Sequence, residues 1–362
     1  MSPPPSPAEP QADLYARAVC DLREAAEVEV PPCPVCRARR SRPRFAVEGV
    51  SSPVVVCAEC GLGRFEPMLT ADEVRAFYPD EYYGQPGVKF HPFVEGLVRA
   101  VGARHIAFLT RGLDRGARVL DVGCGRGVIL GPLADRGLEV HGVEVSAEAA
   151  RGADPRAEVR VAARLADAGY PEAFFDEVVI WHVLEHLADP RAALEEMQRI
   201  LKPGGRLIVA VPNFSSAQAR WSGAAWFHLD LPRHLYQFPL EALCRLLEDV
   251  GFEVSTDHHF SLRQNPFGWI QSALNRISWL PRNGLYTMLH RRSRGEIRAH
   301  GLALRGALWL LGALLVPFAL LATVLETAGR SGATVHVVAF RRGDAPSRAA
   351  PHPATTRASS PA

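Results

Sequence analysis

Three sets of residues in this chain have the types and spacing to do chemistry. The first is Val119-Leu-Asp-Val-Gly-Cys-Gly-Arg-Gly127, a run of strand formers that enters a turn with glycines at 123, 125 and 127. Glycine removes the Cβ atoms that would hold a ligand away from the backbone. Val128, Ile129, Leu130 and Leu133 continue at helical spacing. A second strand over 139–145 then places the acid Glu144 about twenty residues on, the separation at which a carboxylate can bind a ribose diol. Strand, turn, helix and acid describe an adenosine-type pocket at the carboxyl end of a parallel sheet. The second set is Cys33-Pro-Val-Cys36 with Cys57-Ala-Glu-Cys60-Gly61. One C-x-x-C can be a thiol–disulfide pair, but two with a ribbon-sized gap favour a tetrahedral Zn2+ site whose four thiolates leave no open position, hence a structural one. Cys20, Cys124 and Cys244 have no spaced partner. The third set is His182, after the strand 175–180, and His228-Leu-Asp-Leu-Pro-Arg-His234-Leu-Tyr236, a polar stretch too dense between Trp226 and Phe238 for packing alone.

The elements that must position these groups alternate strand and helix. Residues 175–180 form a continuous apolar strand, followed by Trp181-His-Val-Leu-Glu-His186 and a helix over 190–201. Lys202-Pro-Gly-Gly205 ends that helix, residues 206–211 make the next strand, and 334–340 a last one. The glycine spacing is G-x-G-x-G, with Asp121 two residues ahead, rather than the G-x-G-x-x-G of a dinucleotide turn. That form resembles motif I of the class I S-adenosylmethionine-dependent methyltransferases. The phrases H-V-L-E-H-L and L-K-P-G-G are similar to those of small-molecule members, the quinone-type O-methyltransferases among them. The resemblance covers residues 113–262 and returns at 334–340. It implies an α/β, Rossmann-like fold with a seven-stranded, mostly parallel sheet whose last strand is antiparallel, joined to an N-terminal zinc ribbon and a C-terminal apolar helical insertion.

The resemblance also implies the cofactor, S-adenosyl-L-methionine. Asp121, Gly123, Cys124, Gly125 and Gly127 would pack against its methionine and ribose parts, Glu144 would hold the ribose hydroxyls, and Val145, Leu165 and Trp181 would complete the pocket. The family often has an acid just after the third strand for the adenine amino group. Here no carboxylate comes before Asp167, so adenine recognition falls to Asp167, to backbone atoms or to Leu165.

Methyl transfer from a sulfonium is an in-line displacement, and a hydroxyl acceptor must also lose a proton. Histidine titrates near neutrality and is the natural base. We assign His234 as general base or acceptor-orienting residue and His182 as the second choice, with Arg233 for an acceptor phosphate or carboxylate and Asp230 to orient a histidine. His186 reads as a packing or capping residue. The competing reading of 228–236 is a satisfied polar loop. Similar H-x-D-x-P-R-H phrases occur in a bacterial branch of these enzymes that often carries the ribbon. The expected reaction is transfer to a hydroxyl, or to carbon, of a small or lipid-linked acceptor such as a sugar or quinone-like phenol. The alternative is a zinc-ribbon RNA-binding or assembly factor with a non-catalytic nucleoside-binding fold.

Along the chain this gives a flexible leader over 1–28, the ribbon over 29–66, a helical linker or lid over 67–112, the methyltransferase domain over 113–262 plus 331–342, an apolar helical insertion over 263–330 and a disordered tail over 343–362. The formal net charge is +2, and the arginines at 37, 39, 40, 42 and 44 lack interleaved aromatic residues, so no nucleic-acid partner is expected. The proline-rich start lacks a signal-peptide run, which with zinc and free thiols suggests a cytoplasmic protein, membrane-associated if the insertion makes it so. In the linker Thr70 is expected to cap a helix, Tyr82 or Tyr83 to fold over the cofactor, and another helix to lie around 92–110. Residues 306–325 carry no charge and are long enough to span a bilayer. A single crossing is excluded, because 334–340 must rejoin the sheet beside 252–260. Residues 266–280 read as amphipathic, with Phe267, Ile270, Leu274 and Ile277 on one face, Trp269 and Trp279 at the ends, and Arg291, Arg292, Arg294 and Arg298 following. The insertion is thus expected to make peripheral contact with a membrane or lipid-linked acceptor, or else to form an internal lid or dimer face.

Overall fold

The computed structural model describes residues 17–77, 102, 104–262, 264–289 and 301–343. The expectations for Tyr82, Tyr83, Arg291, Arg292, Arg294, Arg298, the first residues of the leader and the tail beyond 343 lie outside the described residues.

Two sheets organise the chain. The larger contains β6 (Arg118–Val122), β7 (Glu139–Glu144), β8 (Glu158–Val161), β9 (Phe175–Trp181), β10 (Leu201–Pro212), β12 (Phe252–His258) and β13 (Thr334–Arg341), in the order β12-β13-β10-β9-β6-β7-β8. Strands β10, β9, β6, β7 and β8 are mutually parallel, and β13 runs antiparallel to both β10 and β12. This is the expected seven-stranded sheet. Its central strands are covered on both faces, which is why Val178, Val179 and Ile180, with Leu207, Ile208 and Val209, are uninterrupted apolar runs with no exposed surface. Helix α4 (Pro190–Ile200) starts where Asp189 accepts from the Ala192 amide with proline in the first turn, and α6 (Leu240–Asp249) covers the β12 side.

The glycine turn departs from the expected helix start. Gly123, Gly125 and Gly127 all have positive φ, so the turn continues to residue 129 and the helix α2 (Leu130–Ala134) is short. Val128 is 79% exposed and takes no part in the buried face. The short α3 (Ala147–Ala150) then follows β7. Thr70 caps α1 (Ala71–Ala76) in a reciprocal box with Glu73, as its sequence suggests.

The smaller sheet corrects two boundaries. It holds β1 (Val19–Asp21), β2 (Val28–Glu29), β3 (Arg40–Val47), β4 (Val54–Cys57) and β5 (Gly63–Phe65), and β11 (Tyr236–Gln237) pairs with β5. Residues 17–28 therefore belong to the sheet rather than to a flexible leader: β1 pairs with residues 45–47, and the Arg44 guanidinium reaches Asp21. The ribbon is not a separate unit either, since the main domain supplies one of its strands. Arg191 on α4 adds two hydrogen bonds to the Pro34 carbonyl at 3.1 and 3.0 Å.

The insertion forms α7 (Asn265–Leu274), α8 (Gly284–Leu289) and α9 (Leu302–Ala328). Helix α7 is not the surface amphipath expected over 266–280. Gly268, Trp269, Ile270, Gln271, Ser272 and Leu274 are all buried, and the helix lies between α5 (Ala217–Ser222) and α9. The Trp269 indole donates to Glu326 at 3.0 Å and packs on Phe318, with ring centroids 5.8 Å apart. Trp279 stands in the bend beyond the helix and is 62% exposed.

One buried ion pair clamps the helix over 104–109 to the sheet. Arg206 on β10 reaches Glu177 on β9 and donates to the carbonyls of Leu109 and Arg111 at 2.6 Å each. Burial alone would push the Glu177 carboxyl up, and Arg206 pulls it back towards the charged form. Arg206→Met is expected to lower unfolding stability by about 3 kcal/mol in urea titrations, because it strands the acid and two carbonyls. Adding Glu177→Met should recover part of that loss, and a single variant as stable as the parent would contradict the clamp.

Candidate active site

The glycine turn and the acid of β7 are bound to each other. Glu144 is buried, and its Oε2 accepts from the Gly125 amide at 2.8 Å while Oε1 accepts from Val145 and Ser146 at 2.9 and 3.0 Å. The amides of Gly123 and Cys124 both donate to the Val143 carbonyl, at 2.8 and 3.1 Å, so the bend is pinned to the tip of β7. The three glycines have different causes. A Cβ on Gly123 would stand 2.5 Å from Val183, and one on Gly127 would meet Leu130 and Ala153 at 2.9 and 3.0 Å. Only at Gly125 would the added atom meet nothing within 4 Å. The space kept clear for a ligand thus lies at Gly125, whereas protein neighbours impose the other two glycines. Cys124 packs its sulfur against Gly142, where an added Cβ would come within 2.7 Å, so its side chain points into the strands.

Around this cradle Val145 is 58% exposed and Leu165 is buried at the start of a 3-10 turn. Asp167 is held by Arg164 at 2.8 Å. Asp121 is buried next to Glu144, and among the described residues nothing hydrogen-bonds its carboxylate. Burial first and the neighbouring Glu144 charge second push its carboxyl up to about 7. A buried acid of this kind is complementary to a cation, as the methionine end of a sulfonium nucleoside is.

The histidines converge on a residue that sequence reasoning passed over. Glu185 is buried, and burial pushes its carboxyl up, yet His182, His186 and His234 together hold it at about 2. His182 has φ +54, an uncommon conformation for a residue with a Cβ, and its Nδ1 lies 3.3 Å from Glu185 Oε1. Its Nε2 is buried with no hydrogen-bond partner among the described residues. His234 donates from Nδ1 to the His228 carbonyl at 3.0 Å, so Nε2 carries the lone pair, 3.7 Å from Asp230 and 3.9 Å from Glu185. Burial and then His186 push His234 down to about 4, against Asp230 and Glu185. His186 bonds the Arg233 carbonyl at 3.0 Å and faces the His234 ring at 4.6 Å. Arg233 is spent within the loop, donating to both oxygens of Asp230 at 2.5 and 2.6 Å. Burial raises the Asp230 carboxyl, but Arg233 and His234 hold it at about 2.

Trp181 belongs to a row that crosses four strands in register: Trp181 pairs with Ala210, Ala210 with His336, and His336 with His258. Its indole lies 3.9 Å from the His105 ring and 4.3 Å from that of His336. Burial drives His336 far below the usual imidazole range, with His182 and His105 adding to it. Glu185 sits inside the quoted phrase H-V-L-E-H-L, where its flanking histidines were the available signal. No local pattern links His105, His258 and His336.

The four cysteines meet as their spacing implies. Their sulfurs lie within 4.8 Å of one another, with Cys33 to Cys60 at 3.6 Å and Cys36 to Cys57 at 3.4 Å. Tetrahedral zinc with sulfur at about 2.3 Å needs edges only slightly longer. The two knuckles repeat one geometry. Arg37 and Gly61 follow them at φ +66 and +73, and their amides donate to the Cys33 and Cys57 carbonyls at 3.0 Å each. Ligand atoms of Glu185, His186 and His234 also come within 4.8 Å of one another. His182 Nδ1 lies 3.3 Å from an oxygen of this buried acid, and the His186 and His234 rings pack beside it.

A methyltransferase-domain family model matches residues 94–256. The chain is 31% identical over 191 residues to a ubiquinone biosynthesis O-methyltransferase of Maricaulis maris, covering 48% of this chain and 74% of that relative. It is 40% identical over 118 residues to the protein of the same name from Alkalilimnicola ehrlichii, covering 30% of this chain and 47% of that one. A solved S-adenosylmethionine-dependent methyltransferase from Archaeoglobus fulgidus aligns with a TM-score of 0.41 and 20% identity, over 68% of this chain and 94% of that one. The chain belongs to the class I S-adenosylmethionine-dependent methyltransferases, and it is an enzyme of that family.

Two predictions follow from the cradle. Gly123→Ala should lower the melting temperature, by roughly 2–3 kcal/mol of stability, because strain adds to a clash with Val183. Gly125→Ala should cost about 1 kcal/mol of stability yet weaken S-adenosylmethionine binding by tenfold or more in calorimetry. Equal effects of the two on both readouts would contradict the assignment. The raised carboxyl of Asp121 sets the second. Its protonated form is favoured in the free protein, so its ionisation destabilises the fold as pH rises through about 7. A bound cation reverses the preference. Affinity for S-adenosylmethionine should therefore fall as pH drops below about 7, with proton release on binding, and Asp121→Asn should abolish that dependence.

Proposed function

We propose that the chain transfers a methyl group from S-adenosylmethionine to a phenolic hydroxyl of a quinone-like acceptor. The observation that carries the reading is the Glu185–His182 pair at the carboxyl end of β9, next to the cradle. Relatives named as ubiquinone biosynthesis O-methyltransferases support the acceptor class. They do not favour a non-catalytic RNA-binding or assembly factor.

When bound, S-adenosylmethionine supplies an electrophilic methyl group. Asp121, Gly125 and Glu144 would hold it, with Leu165 and Val145 beside the same cradle. Glu185 keeps His182 in the tautomer with the proton on Nδ1, so Nε2 can accept the hydroxyl proton as the oxygen attacks. His182 thereby moves ahead of His234, whose imidazole burial pushes down to about 4. His234 and Asp230 orient the acceptor side of the loop, and Arg233 positions that loop rather than binding an acceptor anion. The four cysteines would hold a structural zinc at the base of the sheet in which β5 pairs with β11, two residues after His234.

Labelled methyl transfer to a short-chain prenylated dihydroxybenzene, with a nucleotide-linked sugar as the comparison, tests the acceptor class. Turnover is expected with the phenol alone. His182→Ala should lower kcat by about 100-fold or more while leaving donor affinity within about twofold, and His234→Ala should cost less. Transfer to the sugar alone, or an unchanged rate in His182→Ala, would overturn the reading.

A further inference from the structure

Helix α9 presents a surface that the rest of the described chain leaves uncovered. Residues 306–325 contain no charged side chain, and the helix has a mean hydropathy of 2.4 over its most apolar window with 28% of that window buried. Leu308, Gly312, Ala319, Thr323 and Glu326 are its buried positions. At 3.6 residues per turn they fall in a stripe of about 60°, and Gly312 lies against Leu285 while Glu326 meets Trp269. Trp309, Leu310, Leu314, Leu321, Val324 and Leu325 are each more than half exposed and spread over about 160° on the opposite side. A surface helix of a water-soluble domain places polar residues opposite its buried stripe, and this one places Trp, Leu and Val there.

The topology restricts what can cover that face. Strands β12 and β13 are antiparallel neighbours, so the insertion leaves and re-enters the main sheet at one place. Helix α9 therefore does not cross a bilayer, and its length of about 40 Å lies along whatever it touches. A protein partner of ordinary type would meet a polar rim around an apolar centre, but residues 306–325 offer no charged rim along their length. Cations and exposed indoles stand at the margins instead. Arg305 precedes the uncharged stretch, Arg276 lies 4.9 Å over the Trp221 ring, and Trp221 and Trp279 are 41% and 62% exposed. Tryptophan and arginine around an apolar strip suit the headgroup layer of an anionic membrane.

We propose that α9 lies in the plane of an anionic lipid surface, its Trp309 to Leu325 side in the acyl boundary and Arg276 and Arg305 among the headgroups. The contact is independent of the acceptor. It brings the catalytic domain to the membrane face, where apolar acceptors partition.

Sedimentation of the full chain with phosphatidylcholine vesicles, with and without phosphatidylglycerol, tests this. The chain is expected to pellet with the anionic vesicles and to be partly released by high salt. The double variant Leu314→Glu/Leu321→Glu, altered at two exposed positions, should lose at least tenfold in vesicle affinity. Its melting temperature and S-adenosylmethionine binding should match the parent. A parent chain that stays in the supernatant with both vesicles, or a double variant that binds as well as the parent, would overturn the proposal. So would a dimer in sedimentation velocity that the double variant splits, since a second copy would then be what covers the face. None of these results would alter donor binding, which tests the methyltransferase reading separately.

Discussion

The carboxylate of Glu144 is the interaction on which the site depends. It gathers three backbone amides, from Gly125, Val145 and Ser146, and so fixes the turn after β6 to the end of β7. Hydrogen bonds of amides to a charged acceptor are stronger than neutral ones and offset the cost of burying the charge. Its neighbour Asp121 has no such set among the described residues, and the two acids share a buried space. One buried carboxylate beside a second acid whose ionisation a bound cation would favour makes the space beneath the bend complementary to a cation. The turn needs its three glycines for different steric reasons: two to let the backbone pass its protein neighbours and one to leave room.

A second buried acid organises the acceptor side. Glu185 accepts from His182 at the end of β9 at 3.3 Å, and the ring of His234, from the loop before β11, stands 3.9 Å from the same oxygen. The Leu235 amide donates to the Glu185 carbonyl at 2.8 Å, and Tyr236 and Gln237 then enter the cysteine-bearing sheet beside Arg64 and Gly63. Cysteine cluster, histidine loop and strand end thus form one continuous set of contacts. The amino-terminal module serves here as the support of a loop, with β5 as the bracket.

Local patterns exposed most of the fold. The order of strands, the turn from Asp121 to Gly127, the acid at 144 and the four cysteines each lie within a few residues of their own signal. The mirrored knuckles at Arg37 and Gly61 follow directly from C-x-x-C spacing. What sequence did not reveal is made by register and by long-range pairing. Trp181, His336 and His258 align only because β9, β10, β13 and β12 are neighbours. Residues 17–28 gain order from strand partners, which a proline-rich beginning does not suggest. Helix α7 has an amphipathic sequence, yet α9 and α5 cover it from two sides, and the exposed apolar face belongs to α9. The charge of Arg233 suggests an acceptor anion in sequence, but its two bonds to Asp230 depend on the turn that brings them together.

The central claim is that the bend closed by Glu144 holds the methyl donor. Its most direct test is calorimetric titration of the purified chain with S-adenosylhomocysteine, comparing the parent with Glu144→Ala. The account predicts saturable binding to the parent and a loss of at least tenfold, about 1.4 kcal/mol, in the variant. No heat with the parent, or equal affinity in the two proteins, would contradict it.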